Sequence, residues 1–223
     1  VCSSDLLNER PHIVQILYLL QFFEEYCPDC SDMSLFVDHA VDDPHELILE
    51  RLCLLENGVC PRCHRTKTDF YKEGKFRFYE ELVLCIGQRA GKSFLTSHSG
   101  AYTMHHYLKL PSPTRSLGLS GATQLVGSCV AMKMAQGQSA LFGPLRNYVL
   151  TSVWFQEYLH LAKKYEKKTG KKMCAVSEQL IRFAHKNVIF SLEAAHQGNL
   201  RGRTRIFGAV DEIGHMALEG VQG

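Results

Sequence analysis

One stretch decides the fold of this chain: Leu82-Val83-Leu84-Cys85-Ile86-Gly87-Gln88-Arg89-Ala90-Gly91-Lys92-Ser93. Its first five residues are apolar without interruption, which is typical of a strand buried on both faces of a sheet. The glycine-containing turn that follows leads into a helical pattern from Lys92 to about Leu108. A strand, a turn of this kind and a helix in succession predict a loop whose backbone N–H groups hold a phosphate at the start of the helix.

The side chains of this loop predict how a nucleotide is held. We expect the Lys92 ammonium to reach the β- and γ-phosphates and the Ser93 hydroxyl to bind Mg²⁺. Arg89 would either stabilise charge on the γ-phosphate, as an arginine finger in cis does, or pair with a surface acid. Arg201 and Arg203 are alternatives for the first role. The loop departs from the pattern G-x-x-x-x-G-K-[ST], because the first glycine position falls on Ile86, and a plain helix N-cap is the alternative interpretation. The predicted nucleotide-binding residues of the loop are Gly87, Gln88, Arg89, Ala90, Gly91, Lys92 and Ser93.

A second, acidic motif completes the predicted nucleotide site. The apolar run from Arg205 to Val210 predicts a buried strand, and Asp211 and Glu212 follow it directly. A carboxylate at the carboxyl end of a parallel strand is placed to face Mg²⁺, so we assign that role to Asp211. Glu212 beside it can polarise the attacking water as general base. The alternative is an acidic helix N-terminus that only offsets its own dipole.

Nine cysteines are present, and four of them form two Cys-x-x-Cys pairs. Cys27 and Cys30 make one pair, and Cys60 and Cys63 make the other. Two such knuckles can bring four thiolates together around a structural Zn²⁺, with no position left open for chemistry. A redox pair or four unrelated thiols are the alternatives, and His64 is considered as a substitute ligand. The remaining five cysteines are scattered through apolar sequence, which favours a reducing, intracellular compartment over a disulfide scaffold.

Charge is divided unevenly along the chain. The 223 residues carry a net charge of only +2, yet residues 1–60 have twelve acidic and two basic side chains and the remainder has a net charge of +12. A basic body suits a polyanionic partner such as nucleic acid, although lysine-rich helices like 163–172 also occur for solubility alone. At 45% hydrophobic and 22% charged, the composition is that of a globular protein and excludes a disordered tail, a coiled coil and a membrane protein.

The pattern along the chain predicts two regions. Residues 1–70 form an acidic helical region that carries the cysteine pairs, with helices near 13–23 and 44–56, and residues 71–223 form the nucleotide-binding domain. The elements predicted after the first helix of that domain are a strand at 116–120, helices at 123–136 and 144–168, paired strands at 179–184 and 187–192, and a strand at 205–210. This alternation predicts an α/β fold with a parallel sheet and helices on both faces.

Together these motifs resemble those of a known family, the ATPase domain of the large terminase subunit of tailed bacteriophages. The loop at 87–93 is similar to the family's deviant Walker A loop, and Gly121-Ala122-Thr123-Gln124 resembles its second-strand segment. Asn199-Leu200-Arg201-Gly202-Arg203 resembles the leucine-arginine-glycine element before the family's Walker B motif and is the most discriminating part. The resemblance covers roughly residues 75–215 and implies a P-loop NTPase fold of the ASCE type.

The resemblance implies a motor that uses ATP to move double-stranded viral DNA into a procapsid. It implies the portal protein and the small terminase subunit as partners, a homo-oligomeric ring, no membrane, and a location in the cytoplasm of the host cell. We expect the family's RNase H-like nuclease domain to be absent from this chain, which would then be a fragment that ends shortly after Asp211 and Glu212. A helicase-like DNA translocase and a non-catalytic, zinc-bearing nucleic-acid-binding module are the alternative functions.

Overall fold

The structure is a computed structural model that describes residues 12–36, 45–77, 91–195 and 203–210. These residues fall into two compact units, one within 12–77 and one within 91–210. Phe76 is buried in the core of the first unit, so this unit extends past residue 70. Several predicted features lie outside the described residues: the strand at 82–86, the loop residues Gly87, Gln88, Arg89 and Ala90, and the residues Arg201, Asp211 and Glu212.

The first unit is helical and builds its core on one amphipathic helix. Helix α1, Ile13–Phe23, confirms the helix predicted near 13–23. Its buried face consists of Ile13, Ile16, Leu17 and Leu20, which recur at helical spacing. The other helical elements that the structure describes in this unit are a 3₁₀ turn at Met33–Phe36 and the helices α2 (His45–Glu50) and α3 (Lys67–Lys72).

Helix α2 is shorter than the helix predicted at 44–56, and that prediction is wrong beyond Glu50. After α2 the backbone forms hydrogen bonds with the segment that carries the first cysteine pair. The Cys27 N–H donates to the Cys53 carbonyl at 2.7 Å, and the Leu55 N–H donates to the Glu25 carbonyl at 3.1 Å. Hydrogen bonds to a distant segment therefore replace the last turns of the predicted helix.

In the residues that the structure describes, the second unit is built on a five-stranded sheet. Its strands are β1 (Leu125–Ala131), β2 (Cys174–Val176), β3 (Leu180–Phe183), β4 (Val188–Ala194) and β5 (Thr204–Val210), in the order β2-β3-β4-β1-β5. β4, β1 and β5 are parallel, whereas β2 and β3 add an antiparallel edge. The predicted strand pair at 179–184 and 187–192 and the predicted strand at 205–210 are confirmed. The sheet is mixed rather than all parallel, because the short turn Ala184–Lys186 can join only antiparallel strands.

Two predicted secondary-structure elements in the sequence between the phosphate loop and the β3–β4 hairpin are wrong. Residues 123–136, predicted as a helix, contain β1, and all seven residues of β1 are buried. A continuous apolar run has no period that separates a buried strand from a buried helix, so the sequence alone could not decide. Residues 116–120, predicted as a strand, lie where the short helix α5 (Pro113–Ser116) ends in a turn at Gly118, whose φ is 69°.

Four further helices of the described ranges accompany the sheet. They are α4 (Lys92–Lys109), α6 (Met134–Gly137), α7 (Gly143–Thr151) and α8 (Val153–Thr169), and a π-helical turn at Gln138–Phe142 joins α6 to α7. α4 confirms the predicted helix after the phosphate loop. The single helix predicted at 144–168 is instead two helices, because Ser152 has an extended conformation with ψ 136° and begins α8 as its N-cap. In the part of the chain that the structure describes, no helix combines the length and apolarity needed to cross a membrane.

The centre of the sheet is packed around a glycine. Phe190 of β4 and Phe207 of β5 flank Gly127 of β1, and the centroids of the two rings lie 5.8 Å apart. A Cβ atom at Gly127 would lie 2.4 Å from the Phe190 ring, which is closer than real contacts allow. The absence of a side chain at this position therefore lets two aromatic rings meet over the central strand.

Glu166 ties the end of α8 to the start of β2. Its carboxylate accepts hydrogen bonds from the backbone N–H groups of Cys174 at 2.9 Å and Met173 at 2.5 Å. These two donors lower the pKa of Glu166. The ionised carboxylate therefore stabilises the fold above the ordinary pKa of glutamate, and this stabilisation is lost as the pH falls through the lowered value.

We expect Glu166→Ala to lower the melting temperature by a few degrees at pH 7, because two backbone donors lose their acceptor. The difference from wild type should shrink when melting is followed at acidic pH, once the pH falls below the lowered pKa of Glu166 and the wild-type carboxylate is also protonated. Glu178→Ala removes an exposed carboxylate between β2 and β3 and serves as the control. A Glu166→Ala effect of equal size at both pH values would contradict a role for the charge.

Candidate functional site

Helix α4 begins where the phosphate loop ends. Gly91 precedes it with φ 80° and ψ 22°, a left-handed conformation that glycine adopts without steric cost. Lys92 is the first helical residue and is exposed, and Ser93 follows it partly buried. Among the described residues no side chain caps this end, and the first turn holds no acidic residue. The start of α4 therefore offers backbone N–H groups and a lysine to an anion.

The far end of α4 is fixed to one edge of the sheet. Lys186 donates from Nζ to the carbonyl of Leu110, directly after α4, at 2.6 Å. Because Lys186 stands just before β4, which begins at Val188, α4 ends at the amino-terminal edge of the parallel strands. The 18 residues of α4 span about 27 Å, and the seven residues of β4 span about 23 Å. The helix is thus long enough to run the whole length of these strands.

The middle of α4 lies on the middle of β5. A Cβ atom at Gly100 would lie 3.2 Å from the Phe207 ring, so helix and strand are in close contact there. With its last turn at the amino-terminal edge, α4 places Lys92 and Ser93 at the opposite edge, where the parallel strands end. Val210, the last residue of β5, lies at that same edge. Asp211 and Glu212 follow Val210 in the sequence and lie outside the described residues, as do loop residues 87–90.

A buried carboxylate near this edge is a feature that our sequence analysis did not identify. Glu193, next to the end of β4, is 7% exposed and accepts on Oε1 from Ser191 and from Arg203, both at 2.8 Å. Its Oε2 lies 3.7 Å from the Arg205 guanidinium, an ion-pair distance that is too long for a hydrogen bond, and it has no other partner among the described residues. Two guanidinium groups thus offset the cost of burying the charge. A lone glutamate in an apolar strand is the sequence signal that could have revealed it.

Arg203, considered above as an arginine that faces the γ-phosphate, is engaged by Glu193. It immediately precedes β5 and therefore starts from the amino-terminal edge of the sheet. Its guanidinium reaches along the sheet to the Glu193 carboxylate. In this structure Arg203 thus contributes to holding a buried carboxylate between β4 and β5.

The first unit brings the four paired cysteines into one cluster. The Sγ atoms of Cys27, Cys30, Cys60 and Cys63 all lie within 4.8 Å of one another. The Sγ atoms of Cys27 and Cys63 are 3.7 Å apart, and those of Cys60 and Cys30 are 3.8 Å apart. Four thiolates at about 2.3 Å from a tetrahedral Zn²⁺ stand about 3.8 Å from one another. The cluster therefore has the size and the donor set that zinc requires.

Contacts outside the thiols hold the two knuckles together. Asp29 in the first knuckle forms ion pairs with Lys75 and Arg65, and the hydrogen bond from Lys75 is the main cause that lowers the pKa of Asp29. In the second knuckle the Cys60 N–H donates to the Arg65 carbonyl at 2.8 Å, and the His64 N–H donates to the Cys60 carbonyl at 2.9 Å. His64 is exposed, with φ 59°, and does not belong to the cluster.

Cys53 is a fifth thiol beside the cluster, which the spacing of the cysteines does not reveal. Its Sγ lies 3.5 Å from the Cys60 Sγ, and both residues are buried. Burial raises the pKa of Cys53 to about 11. Burial also opposes ionisation of Cys60, but backbone N–H groups of Cys63 and Arg62 donate to its Sγ and lower its pKa to about 6. Cys53 is thus a neutral thiol that can donate to the Cys60 thiolate at neutral pH.

Comparison with known proteins places the chain in a family. Residues 50–222 match the family described as "Uncharacterized protein MJ0330, N-terminal P-loop domain". The match covers more than three quarters of the chain and includes both nucleotide motifs and the second cysteine pair, but not the first pair. No curated protein and no solved structure matches the chain.

Proposed function

We propose that this chain, which belongs to the family of MJ0330 N-terminal P-loop domains, hydrolyses ATP with the help of Mg²⁺. Family membership agrees with the predicted α/β P-loop fold and implies nucleotide binding. The start of α4 supports this proposal. There Lys92 and Ser93 follow Gly91, whose backbone has a left-handed conformation, at the edge of the sheet where the parallel strands end. Ligands of open α/β sheets bind at this edge.

Each residue of the proposed site has one role. The Lys92 ammonium and the first N–H groups of α4 bind the phosphate oxygens. The Ser93 hydroxyl and the Asp211 carboxylate would hold Mg²⁺, which would neutralise charge on the phosphates. Glu212 accepts a proton from the attacking water. Arg89 supplies a second positive charge to the γ-phosphate in cis.

We further propose that the chain is the motor of DNA packaging implied by its resemblance to terminase large subunits. The charge of the second unit supports this proposal, because its described residues contain fifteen lysines and arginines against four glutamates and no aspartate. A body of this sign attracts a polyanion such as DNA. The proposed partners are double-stranded viral DNA, the portal protein, the small terminase subunit and further copies of the chain in a ring, in the host cytoplasm.

ATP turnover in three mixtures tests the motor proposal. Hydrolysis is measured for the chain alone, with double-stranded DNA, and with DNA together with portal-bearing procapsids. A packaging motor should hydrolyse ATP faster with DNA and faster again with the portal. If DNA speeds up ATP hydrolysis and the portal adds no further increase, a helicase-like translocase is favoured. No turnover in any mixture would contradict an ATPase.

For the cysteine cluster we propose one structural Zn²⁺ held by Cys27, Cys30, Cys60 and Cys63. The sulfur spacing supports zinc, and four protein ligands leave no open position for a substrate. The cluster belongs to the first unit, whereas Lys92 belongs to the second. The proposed metal therefore serves the folding of the first unit rather than phosphate chemistry.

We expect Lys92→Ala to weaken ATP binding about 10- to 100-fold, because a charge-assisted contact to phosphate contributes roughly 1.5–3 kcal/mol. The measurement is equilibrium binding of a fluorescent ATP analogue in the presence of Mg²⁺. Lys109→Ala removes an exposed lysine from the last turn of the same helix and should bind like wild type. If the two variants bind the ATP analogue with equal affinity, Lys92 does not belong to the nucleotide site.

A further inference from the structure

The last turns of α8 carry a dense set of lysines on the solvent side. The set comprises Lys163, Lys164, Lys167 and Lys168, all of them exposed, and is called the lysine face below. A spacing of four residues aligns these lysines in two neighbouring rows along the helix. Phe155 and Ala162 are buried on the other side of α8. Lys171 and Lys172, also exposed, continue the positive charge past the helix end.

Few carboxylates offset the charge of the lysine face. In the part of the chain that the structure describes, no ion pair joins one of its four lysines to a carboxylate. Glu166 is the only acidic residue between 158 and 172, and its carboxylate accepts hydrogen bonds from the backbone N–H groups of Met173 and Cys174. These two donors lower its pKa more than the charge of Lys163 does. Lys167 and Lys168 lie in the last turn, where a helix dipole favours cations, but Lys163 and Lys164 do not.

The shape of the lysine face suits an extended polyanion. The four lysines project from the convex surface of a helix, so they cannot enclose a single small anion. From Lys163 to Lys168 the helix rises about 7.5 Å. Double-stranded DNA carries one charge per about 1.7 Å of its axis, or about four charges over that length. Tyr165, 53% exposed at the margin of the face, adds a hydroxyl of a kind that commonly donates to the DNA backbone.

We propose that the lysine face binds the phosphate backbone of double-stranded DNA. This deepens the proposed motor function, on which it rests, by naming a surface where the chain contacts its substrate. Lysine ammonium groups act as point charges, and phosphate contacts carry no base information, so binding is independent of sequence. Each phosphate contact contributes about −0.9 to the slope of log K against log salt concentration.

Equilibrium binding across a range of salt concentrations tests this surface. The full chain is titrated against a fluorescent duplex of mixed sequence, without nucleotide, so that the result does not depend on ATP turnover. The variant K163Q/K164Q/K167Q/K168Q should reduce the magnitude of the salt slope by about three to four and weaken binding roughly 100-fold or more at 0.1 M salt. Glutamine keeps the helix propensity of lysine, and circular dichroism checks that the variant folds.

A second quadruple variant separates local contact from net charge. K72Q/K109Q/R115Q/R182Q also removes four exposed cations, but from scattered positions in both units, and should keep the wild-type slope. Equal losses in the two variants, or an unchanged slope in the lysine-face variant, would overturn the proposal. Capture of the wild-type chain by anionic vesicles but not by the duplex would overturn it too.

The salt-dependence experiment and the ATP-turnover experiment test the lysine face and the motor proposal separately. If the lysine-face variant loses the expected slope while wild-type ATP turnover ignores DNA, the surface stands and the motor function fails. If turnover rises with DNA while the slope of the lysine-face variant is unchanged, the motor function stands and the surface fails.

Discussion

Chelation of zinc is expected to unfold residues 12–77 and to leave ATP affinity unchanged. The four thiols join two knuckles that are otherwise linked by backbone hydrogen bonds and by the ion pairs of Asp29. Structural zinc contributes about 10–16 kcal/mol in small zinc domains at neutral pH, whereas whole domains are stable by only about 5–15 kcal/mol. Without the metal the first unit therefore lacks the free energy to remain folded.

Two cysteine variants give this expectation a matched test. Cys60→Ser removes a proposed ligand, and Cys53→Ser removes the neighbouring thiol at 3.5 Å. Elemental analysis should find one zinc per chain in wild type and Cys53→Ser and substoichiometric zinc in Cys60→Ser. Loss of helical circular dichroism should accompany loss of the metal. Zinc lost from Cys53→Ser but retained by Cys60→Ser would refute the proposed ligand set, and a chelator that abolished ATP binding would refute a purely structural role.

Glu212→Gln is expected to slow ATP turnover about 10²- to 10⁴-fold while ATP still binds, because the amide keeps the shape of the side chain but cannot accept the proton of the attacking water. Mg²⁺ would still be held by Ser93 and Asp211 in this variant. The measurement combines turnover with retention of ATP on the protein after rapid removal of free nucleotide. We expect the variant to hold intact ATP where wild type holds ADP.

The control for this variant is Glu178→Gln, which changes an exposed carboxylate between β2 and β3 in the same way. It should hydrolyse ATP like wild type under the conditions in which wild type is active. If Glu212→Gln hydrolyses ATP at the wild-type rate, Glu212 is not the general base. Loss of ATP binding in Glu212→Gln would instead assign this residue to the binding of the nucleotide or of Mg²⁺.

The sequence predicts best those elements whose signals are local. α1 has a clear period of apolar residues, α4 follows a glycine turn, and the strand pair on either side of Ala184–Lys186 is joined by a connection too short for anything but a hairpin. The cysteine pairs are recognisable because the geometry of zinc binding requires two close ligands on one tight turn. In each case a few neighbouring residues contain the whole physical reason.

The failures have a common physical cause in tertiary structure. β1 is buried on both faces by its neighbours, so its residues lack the alternation that marks a half-buried strand. α2 stops because backbone groups at 53 and 55 bond to residues 25 and 27, which lie far away in the sequence. Glu193 and Cys53 become noticeable only when the fold brings Arg203 and Cys60 beside them. Propensity and spacing do not contain such contacts.

The two glycines that face Phe190 and Phe207 have a consequence for how this sequence can change. Gly127 makes room for the Phe190 ring, and Gly100 of α4 makes room for the Phe207 ring. The two rings lie 5.8 Å apart, so the spaces left free by the two glycines are filled by neighbouring rings. A larger residue at either glycine must be accompanied by a smaller residue in place of the adjacent phenylalanine, because a packed interior leaves no spare space. Substitutions at these positions are therefore coupled, and the tolerated ones come as opposite pairs, such as glycine to alanine together with phenylalanine to leucine.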